Sequence, residues 1–417
     1  MSPAGPSRRH LLRAATASLA AVAGGAAAVK TALAVSTETT PYSLQEAFVF
    51  HGVNQAGIVT PQQPYGILVA FDCLAEDKAG LERLFRLLTE HATRLTAGGA
   101  VPEAGGGFPP PDSGLMGKTI PPDGLTVTVS VGASLFKDRY GIKAQKPARL
   151  IAMEQFGNDA LKSEYCHGDI LIQFCANRQE TALHALRDIV KNTPDLLSPR
   201  WKMDGQLLPK DKRASGEETP RNFLGFKDGT GNPSSADSGL MDQLVWTRGG
   251  VNGEPAWTEG GSYHVVRMIR NFVEHWDRTA LNEQESIIGR HKYSGAPIGK
   301  AHEMDDPDFA SAPDTAKTAK DAHIRLANPR DGKAMATRVL RRGYNYSLGL
   351  EKNGQMNMGL LFVCFQADLD QGFRAIQKRL DGEALEEYIK PFGGGYFFAL
   401  PGVQSGQSFL GESLLQA

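Results

Sequence analysis

The chain has 417 residues, of which 41% are hydrophobic and 22% are charged, and its formal net charge is −1. These values are ordinary for a soluble globular protein large enough for two domains. They exclude the strongly basic surface of a general nucleic-acid-binding protein, so no nucleic acid is expected among its partners.

Residues 1–34 have the features of an export signal. Arg8 and Arg9 precede an alanine-rich run that ends in Ala32-Leu33-Ala34, a small-x-small cleavage pattern. A membrane anchor is the weaker alternative, because Arg13 interrupts the run and alanine replaces leucine poorly in lipid. The stretch SRRHLL resembles a twin-arginine signal, which exports proteins that have already folded. We therefore expect a periplasmic or extracellular mature protein with a net charge of about −5, since the signal carries four positive and no negative charges.

A strand followed by an amphipathic helix recurs three times, in residues 65–95, 168–190 and 358–380. Helical spacing places three sets of side chains on single faces: Leu81, Leu84, Phe85 and Leu88; Leu183, Leu186 and Val190; Phe373, Ile376 and Leu380. Further strands are predicted in LTVTVSVGASLF and SYHVVRMIRNFV. The recurring unit predicts an α+β fold of two ferredoxin-like halves, residues 40–200 and 255–417, joined by a loop segment, 201–254.

Three glycine- and proline-containing stretches, 96–124, 202–262 and 296–318, are predicted to be long loops, which in compact proteins usually carry function. Cys73, Cys175 and Cys364 lie in or beside apolar strand-like runs, where we expect buried thiols rather than disulfides. No CxxC or CxxCH motif occurs, so neither a zinc ribbon nor covalent haem attachment is predicted.

The stretch GFKDGTGNP, residues 225–233, places Asp228 among three glycines. Its sequence alone allows a surface turn, a phosphate-binding loop, or backbone lying flat against a large ligand. A phosphate loop is disfavoured because the pattern G-x-x-x-x-G-K-[ST] is absent. A zinc pattern begins at His302-Glu303 but fails because residue 306 is Asp.

A second polar segment contains His323, followed by Asn328-Pro329-Arg330, and then Arg341. Taken alone, His323 is an ordinary core or surface histidine. A haem peroxidase, however, needs an imidazole on one face of the iron and both a proton acceptor and a cation on the other. Eighteen extended residues reach roughly 60 Å, so the spacing of His323 and Arg341 permits this arrangement without requiring it.

Five stretches, taken together, resemble a dye-decolourising peroxidase: HGVNQAGIVTP, GFKDGTGNP, HIRLANPR, LRRGYNY and FGGGYFFALPG. Their order and spacing match over nearly the whole mature chain. The most similar group is the twin-arginine-exported one of iron-uptake operons, also called deferrochelatases. The resemblance implies two ferredoxin-like halves, of the dimeric α+β barrel type, that enclose one haem b per chain.

The resemblance also implies the roles of particular residues. His323 would be the proximal ligand of the haem iron, Asp228 the distal acid and Arg341 the distal arginine. The remaining haem contacts it implies are Gly229, Thr230, Gly231, Asn328, Pro329 and Arg330. Among these, Arg330 is expected to pair with a haem propionate, because a guanidinium binds carboxylate well.

The implied reaction is reduction of hydrogen peroxide coupled to one-electron oxidation of organic donors such as dyes and phenols. Release of iron from haem is a further activity that the resemblance admits. Large dyes cannot enter a buried pocket, so surface aromatic residues are candidates for relaying electrons: Trp246, Trp257, Trp276 and Tyr344. For each of them, however, a packing role is favoured, because aromatic side chains are usually buried. The alternative is a haem-handling accessory of iron uptake, which would release iron from haem without depending on peroxide. Iron-uptake operon proteins and a homo-oligomer are further implied partners.

Overall fold

The computed structural model describes residues 44–103, 105–209, 213, 219–307, 309 and 318–417, and the predicted signal peptide lies outside them. The strands of this part are β1 Tyr65–Cys73, β2 Gly99–Ala100, β3 Thr119–Ile120, β4 Thr126–Gly132, β5 Ile170–Ala176, β6 Leu197–Gln206, β7 Ser262–Asn271, β8 Leu340–Arg341, β9 Tyr344–Leu350, β10 Met356–Gln366 and β11 Ile389–Ala399. Its α-helices are α1 Lys78–Ala97, α2 Gln179–Asn192, α3 Ser238–Leu244, α4 Val273–Trp276, α5 Leu281–Ile288, α6 His323–Ala327, α7 Gly332–Ala336, α8 Ala375–Leu380 and α9 Glu412–Gln416.

Eight of these strands form an antiparallel ring built from two halves, while β2 pairs with β3 and β8 pairs with β10 beside the ring. In the first half the order is β4-β5-β1-β6, and in the second β9-β10-β7-β11. The halves meet where β11 pairs with β4 and where Gln206 of β6 pairs with Asn345 of β9. Because each half contributes four strands and the ring has no free end, the predicted fold of two ferredoxin-like halves in a barrel is confirmed.

Alternate side chains of each strand pack on opposite faces of the sheet. In β1, Ile67, Val69 and Phe71 face the helices, whereas Leu68 and Ala70 belong to a second apolar cluster on the other face. Each fully buried large apolar side chain contributes about 1.5–3 kcal/mol. The ring is therefore buried on both faces along much of its length.

Helix α1 covers the first face as its periodicity predicts. The Asp77 carboxylate accepts a hydrogen bond from the Gly80 N–H and caps the helix, and Gly98 ends it with a φ of 67°. All four predicted side chains of α1 are buried. On α2 the buried face is centred one residue away from the prediction, because Ala182, Ala185 and Ile189 are fully enclosed while Leu183 and Val190 lie at its margin.

Parts of the predicted loops are regular structure. Strand β6 continues into the segment 202–262, and crosses the predicted boundary at residue 200, because Trp201, Met203 and Gly205 alternate inward and pair with β1. The same segment holds α3, and the stretch 96–124 holds the short pair β2–β3. All four cysteines are free and buried, as expected for Cys73, Cys175 and Cys364. Across the described residues, no helix has both the length and the apolar character needed to cross a bilayer.

Candidate active site

Hydrogen bonds and apolar packing hold the turn that carries Asp228 in place. Asn222 Oδ1 accepts hydrogen bonds from the N–H groups of Leu224 and Phe226, at 3.1 and 3.3 Å. Both of these apolar side chains are buried in a cluster with Trp276, whose Nε1–H donates to the Leu224 carbonyl. The glycine at 225 is required by its φ of 86°. This anchoring leaves the carboxylate of Asp228 as the polar group that the turn presents.

Asp228 and Arg341, 113 residues apart, form a direct ion pair. Arg341 Nη1 donates to Asp228 Oδ1, and the two side chains are 32% and 24% exposed. The other carboxylate oxygen, Oδ2, has a 3.5 Å contact from Asn222 Nδ2. Beside the pair lies a small cleft whose polar lining includes Gln62 and Asn345. The two predicted catalytic residues thus share one partly accessible polar site.

Strand geometry separates Arg341 from its neighbour Arg342. Arg341 lies in β8 opposite Cys364 of β10, with its side chain toward Asp228. Arg342 points the other way, is buried, and donates to the Thr60 carbonyl and to Gln63 Oε1. Successive residues of a strand face opposite sides, so only one of the two arginines reaches the site.

His323 begins helix α6, and its ring is oriented by a buried carboxylate. Glu383 Oε2 lies 2.7 Å from His323 Nδ1, and the Glu383 side chain is only 4% exposed. Burial lowers the pKa of His323, but the charge and hydrogen bond of Glu383 outweigh it, so the net effect is a raised pKa. With Nδ1 bound to Glu383, Nε2 is the nitrogen left for a metal. The charges of Arg341 and Asp228 also act on this imidazole.

Three guanidinium groups near the site have no carboxylate partner among the described residues. Arg290 is buried and, within the described part of the chain, donates only to the carbonyls of Gly295 and Glu303, at 2.7 and 2.9 Å. Burial, together with the charges of Arg330 and Arg341, lowers its pKa to about 10. Arg330 likewise lowers the pKa of Arg338, after the larger effect of burial. Arg290 is buried and Arg330 and Arg338 are half-buried, so a cluster of like charges at this place is costly without a counter-ion and indicates a binding site for an anionic group.

The other predicted contacts play different roles. Gly229 has a φ of 138°, which only glycine adopts readily, and no described atom lies within 4 Å of the Cβ position at Gly231. The Thr230 hydroxyl donates to Glu303 Oε1, and therefore anchors the turn. Asn328 Oδ1 accepts from the Arg330 N–H, which supports the left-handed backbone of Arg330 at a φ of 64°. Pro329 lies between them.

The four candidate relay residues are buried, as the favoured packing role predicts. Trp246, Trp257, Trp276 and Tyr344 are 8%, 5%, 0% and 0% exposed. The reason is that each is a large apolar group on or beside a sheet or core cluster, and burial of such a ring is strongly favourable. Tyr344 is the one that lines the Asp228–Arg341 cleft, and its hydroxyl contacts Cys175 Sγ at 3.3 Å.

Several site residues were missed at the sequence level. Glu383, Arg290 and Arg338 carry no local signal that separates them from the other acids and arginines of the chain. Asn232 holds the backbone of Arg341, and its place in GFKDGTGNP was the only indication of its importance. All four are identified by long-range contacts.

These residues fit a haem. A histidine with one free ring nitrogen supplies a single axial ligand, the unpaired guanidinium groups suit two propionates, and the open side of Gly231 leaves room for a flat macrocycle. Among the described residues, no group of three or more His, Cys, Asp or Glu side chains could hold a metal ion by itself. The donor set therefore suits an iron held mainly by its macrocycle.

Comparison with known proteins places the chain in a family. The N-terminal family model of the Dyp-type peroxidases matches residues 55–206, and the C-terminal one matches residues 219–404. A deferrochelatase of Escherichia coli O157:H7 is 55% identical over 413 residues, covering 99% of this chain and 97% of that protein. A deferrochelatase of Shigella boydii serotype 4 (strain Sb227) is also 55% identical with the same coverage.

Two solved structures are similar along their whole length. The DyP-type peroxidase from Cellulomonas bogoriensis has a TM-score of 0.79 and 34% identity, covering 89% of this chain and 99% of its own. The oxyferrous complex of DtpA from Streptomyces lividans has a TM-score of 0.80 and 33% identity, with 89% and 98% covered. From the family matches, these relatives and the site geometry, we conclude that the chain belongs to the Dyp-type peroxidase family and is a haem peroxidase.

Proposed function

We propose that this protein is an exported haem b peroxidase that reduces hydrogen peroxide and oxidises dyes and phenols in one-electron steps, with one haem per chain. The observation that carries the proposal is the direct pairing of Asp228 with Arg341, together with His323 held by Glu383. Simple carriage of haem needs an axial ligand but neither an acid nor an arginine beside it.

Different residues of the chain carry out proton transfer, charge stabilisation and haem binding in the reaction with peroxide. Among the described residues, Asp228 Oδ2 has only the 3.5 Å contact from Asn222, so it is the oxygen able to take a proton from the inner peroxide oxygen and return it to the outer one. Arg341 stabilises the negative charge that develops as the O–O bond breaks. His323 Nε2 would hold the iron, and Arg290, Arg330 and Arg338 the propionates. The bound haem supplies the redox chemistry.

The absorption spectrum of the purified protein tests this proposal. We expect a Soret band that changes on addition of hydrogen peroxide and returns when a phenolic donor is added. A protein with full haem occupancy whose Soret band is indifferent to peroxide would contradict the proposal.

For donors too large to enter, the structure offers one aromatic route. Trp276 contacts Phe226 of the Asp228 turn at a ring-centroid distance of 6.0 Å and Tyr388 at 4.9 Å. Tyr388 contacts His275 at 4.8 Å, and the His275 side chain is 52% exposed. The same cluster includes Leu385 and Ile324, which neighbour Glu383 and His323. Electrons from a dye at His275 would reach the haem pocket through Tyr388 and Trp276.

A polymer-tethered anthraquinone dye, which cannot enter the cleft, tests the route. Trp276→Phe should slow oxidation of the tethered dye at least tenfold relative to oxidation of hydroquinone, which enters the cleft and therefore reports any effect of losing the Trp276 hydrogen bond to the Leu224 carbonyl. Trp257→Phe is the matched control, because Trp257 packs on Phe136 and Phe398 away from the site. Equal dye oxidation by both variants would reject Trp276 as the relay.

Release of iron from haem is a second candidate activity, and it is favoured by the name of the 55% identical relatives. Incubation with haem, with and without peroxide, separates the two candidates. An accessory that releases iron would yield fluorescent iron-free porphyrin without peroxide and in the Asp228→Asn variant, whereas a peroxidase would not.

Export and partners complete the proposal. Replacing Arg8 and Arg9 by lysine should leave precursor in the cytoplasm, because the paired arginines are what the export receptor reads. Normal amounts of mature protein outside the cytoplasm would remove the twin-arginine assignment. Co-purification and light scattering test the proposed iron-uptake operon partners and homo-oligomer.

A further inference from the structure

The side chain of Asn232 binds both backbone polar groups of Arg341. Its Nδ2–H donates to the Arg341 carbonyl at 2.8 Å, and its Oδ1 accepts from the Arg341 N–H at 3.1 Å. These are the two hydrogen bonds that a neighbouring strand would make. Within the described part of the chain, β8 is otherwise paired through β10 alone. Asn232 thus occupies the open edge of β8.

This contact closes a small ring of interactions around the site. Asn232 lies four residues after Asp228, and a tight turn joins them, in which the Asn232 N–H donates to the Gly229 carbonyl at 2.9 Å. Asp228 in turn binds the guanidinium of Arg341. Two segments 109 residues apart in sequence are therefore joined twice, once through side-chain charges and once through Asn232.

The Asp228–Arg341 ion pair and the hydrogen bonds of Asn232 change differently during turnover. Protonation of Asp228 on Oδ2 removes the negative charge that Arg341 binds through Oδ1, and the guanidinium must turn toward the developing charge, so the ion pair weakens during the reaction. The hydrogen bonds of Asn232 involve only the main chain of Arg341, so they can persist while both side chains reorient. Without them, the separation of the two segments would depend on the ion pair that the reaction disturbs.

We propose that Asn232 is a positioning residue that sets the distance between Asp228 and Arg341 when peroxide is bound. The proposal rests on the peroxidase function above and deepens it. Asn232 touches no reacting atom and acts through the pair. Since a displacement of about 1 Å in a catalytic group can cost about 100-fold in rate, a loss of 10- to 100-fold is expected when this contact is removed.

A double-mutant cycle on the haem-loaded protein separates positioning from general stability. The second-order rate constant with hydrogen peroxide is measured from the Soret band for wild type, Asn232→Ala, Asp228→Asn and the double variant. Asn232→Ala should slow wild type by 10- to 100-fold but change the Asp228→Asn protein by less than about threefold, because residues that act through one another are non-additive. Donor oxidation, started after peroxide has reacted, should be unaffected.

Fluoride binding to the ferric protein gives a readout independent of turnover. A bound fluoride accepts a hydrogen bond from a cation in the peroxide's place, so Asn232→Ala and Arg341→Leu should both weaken it. The matched control is Asn54→Ala, because Asn54 is similarly half-buried and its Nδ2 donates to a remote carbonyl, that of Gly260, at 2.8 Å. Asn54→Ala should leave both the peroxide and the fluoride reactions unchanged.

The outcomes are decisive in each case. The proposal would be overturned if Asn232→Ala reacted with peroxide and bound fluoride as wild type does. It would also be overturned if Asn232→Ala slowed the peroxide reaction equally in the wild-type and Asp228→Asn proteins. If Asn232→Ala lost its haem, Asn232→Asp, which keeps an acceptor for the Arg341 N–H, would carry the same comparison. If wild type bound haem without reacting with peroxide, only the proposed function would fail, and the fluoride titration would still decide the role of Asn232.

Discussion

Replacement of Glu383 by glutamine tests how the buried carboxylate tunes the histidine that it orients. Glutamine has nearly the same shape, so its carbonyl can still accept the hydrogen bond from His323 Nδ1, which is 2.7 Å from Glu383 Oε2. The change therefore removes the negative charge while keeping the orientation. Because Glu383 is only 4% exposed, solvent screens that charge weakly.

The expected magnitude follows from the kind of hydrogen bond that is lost. A bond to a charged acceptor contributes about 1.5–3 kcal/mol and a neutral one about 1 kcal/mol, so roughly 1 kcal/mol of preference for the more positive, ferric iron disappears. Since a tenfold change is about 1.4 kcal/mol and 59 mV for one electron, the reduction potential should rise by about 40 mV. Haem binding should be retained.

A spectroelectrochemical titration of the ferric/ferrous couple measures this shift directly. Glu386→Gln is the matched control, because Glu386 lies three residues further on and binds the Gly382 N–H instead of His323. Its potential should equal that of wild type. An unchanged or lowered potential in Glu383→Gln, with haem fully bound, would refute the assignment of His323 and Glu383 as the ligand and its partner.

The remaining predictions use the same protein with other single changes. His323→Ala should lose most of its haem, and full occupancy with an unaltered spectrum would show that another residue ligates the iron. Arg341→Leu should slow the peroxide reaction by two to three orders of magnitude, as expected for loss of one charge-stabilising donor; if Asp228→Asn reacted at the wild-type rate, Asp228 would only shape the pocket. Burial lowers the pKa of His264 to about 3, so the unfolded chain binds more protons than the folded one between pH about 3 and 6.5, and stability falls as the pH decreases. His264→Gln should flatten this slope, which is at most about 1.4 kcal/mol per pH unit for one group, in denaturant titrations of the two proteins from pH 4 to 7.

Local patterns in the sequence were sufficient for much of the architecture. The helical spacing of Leu81, Leu84, Phe85 and Leu88 predicted the buried face of α1, and short runs of apolar residues predicted β1 and β7. These features depend on the residue pattern of one segment, which can be recognised without knowing what the segment packs against. The family resemblance added Asp228, Arg341 and His323, because each lies within a short stretch of distinctive order.

Only the tertiary structure decided which residues meet. Arg341 and Arg342 are adjacent, and the pairing of β8 with β10 determines that Arg341 faces Asp228. Glu383 reaches His323 from 60 residues away, and Asn232 reaches Arg341 from 109. The burial of the three candidate tryptophans likewise results from packing between distant segments. Such contacts depend on strand register and ring closure, and no single segment of the chain encodes them.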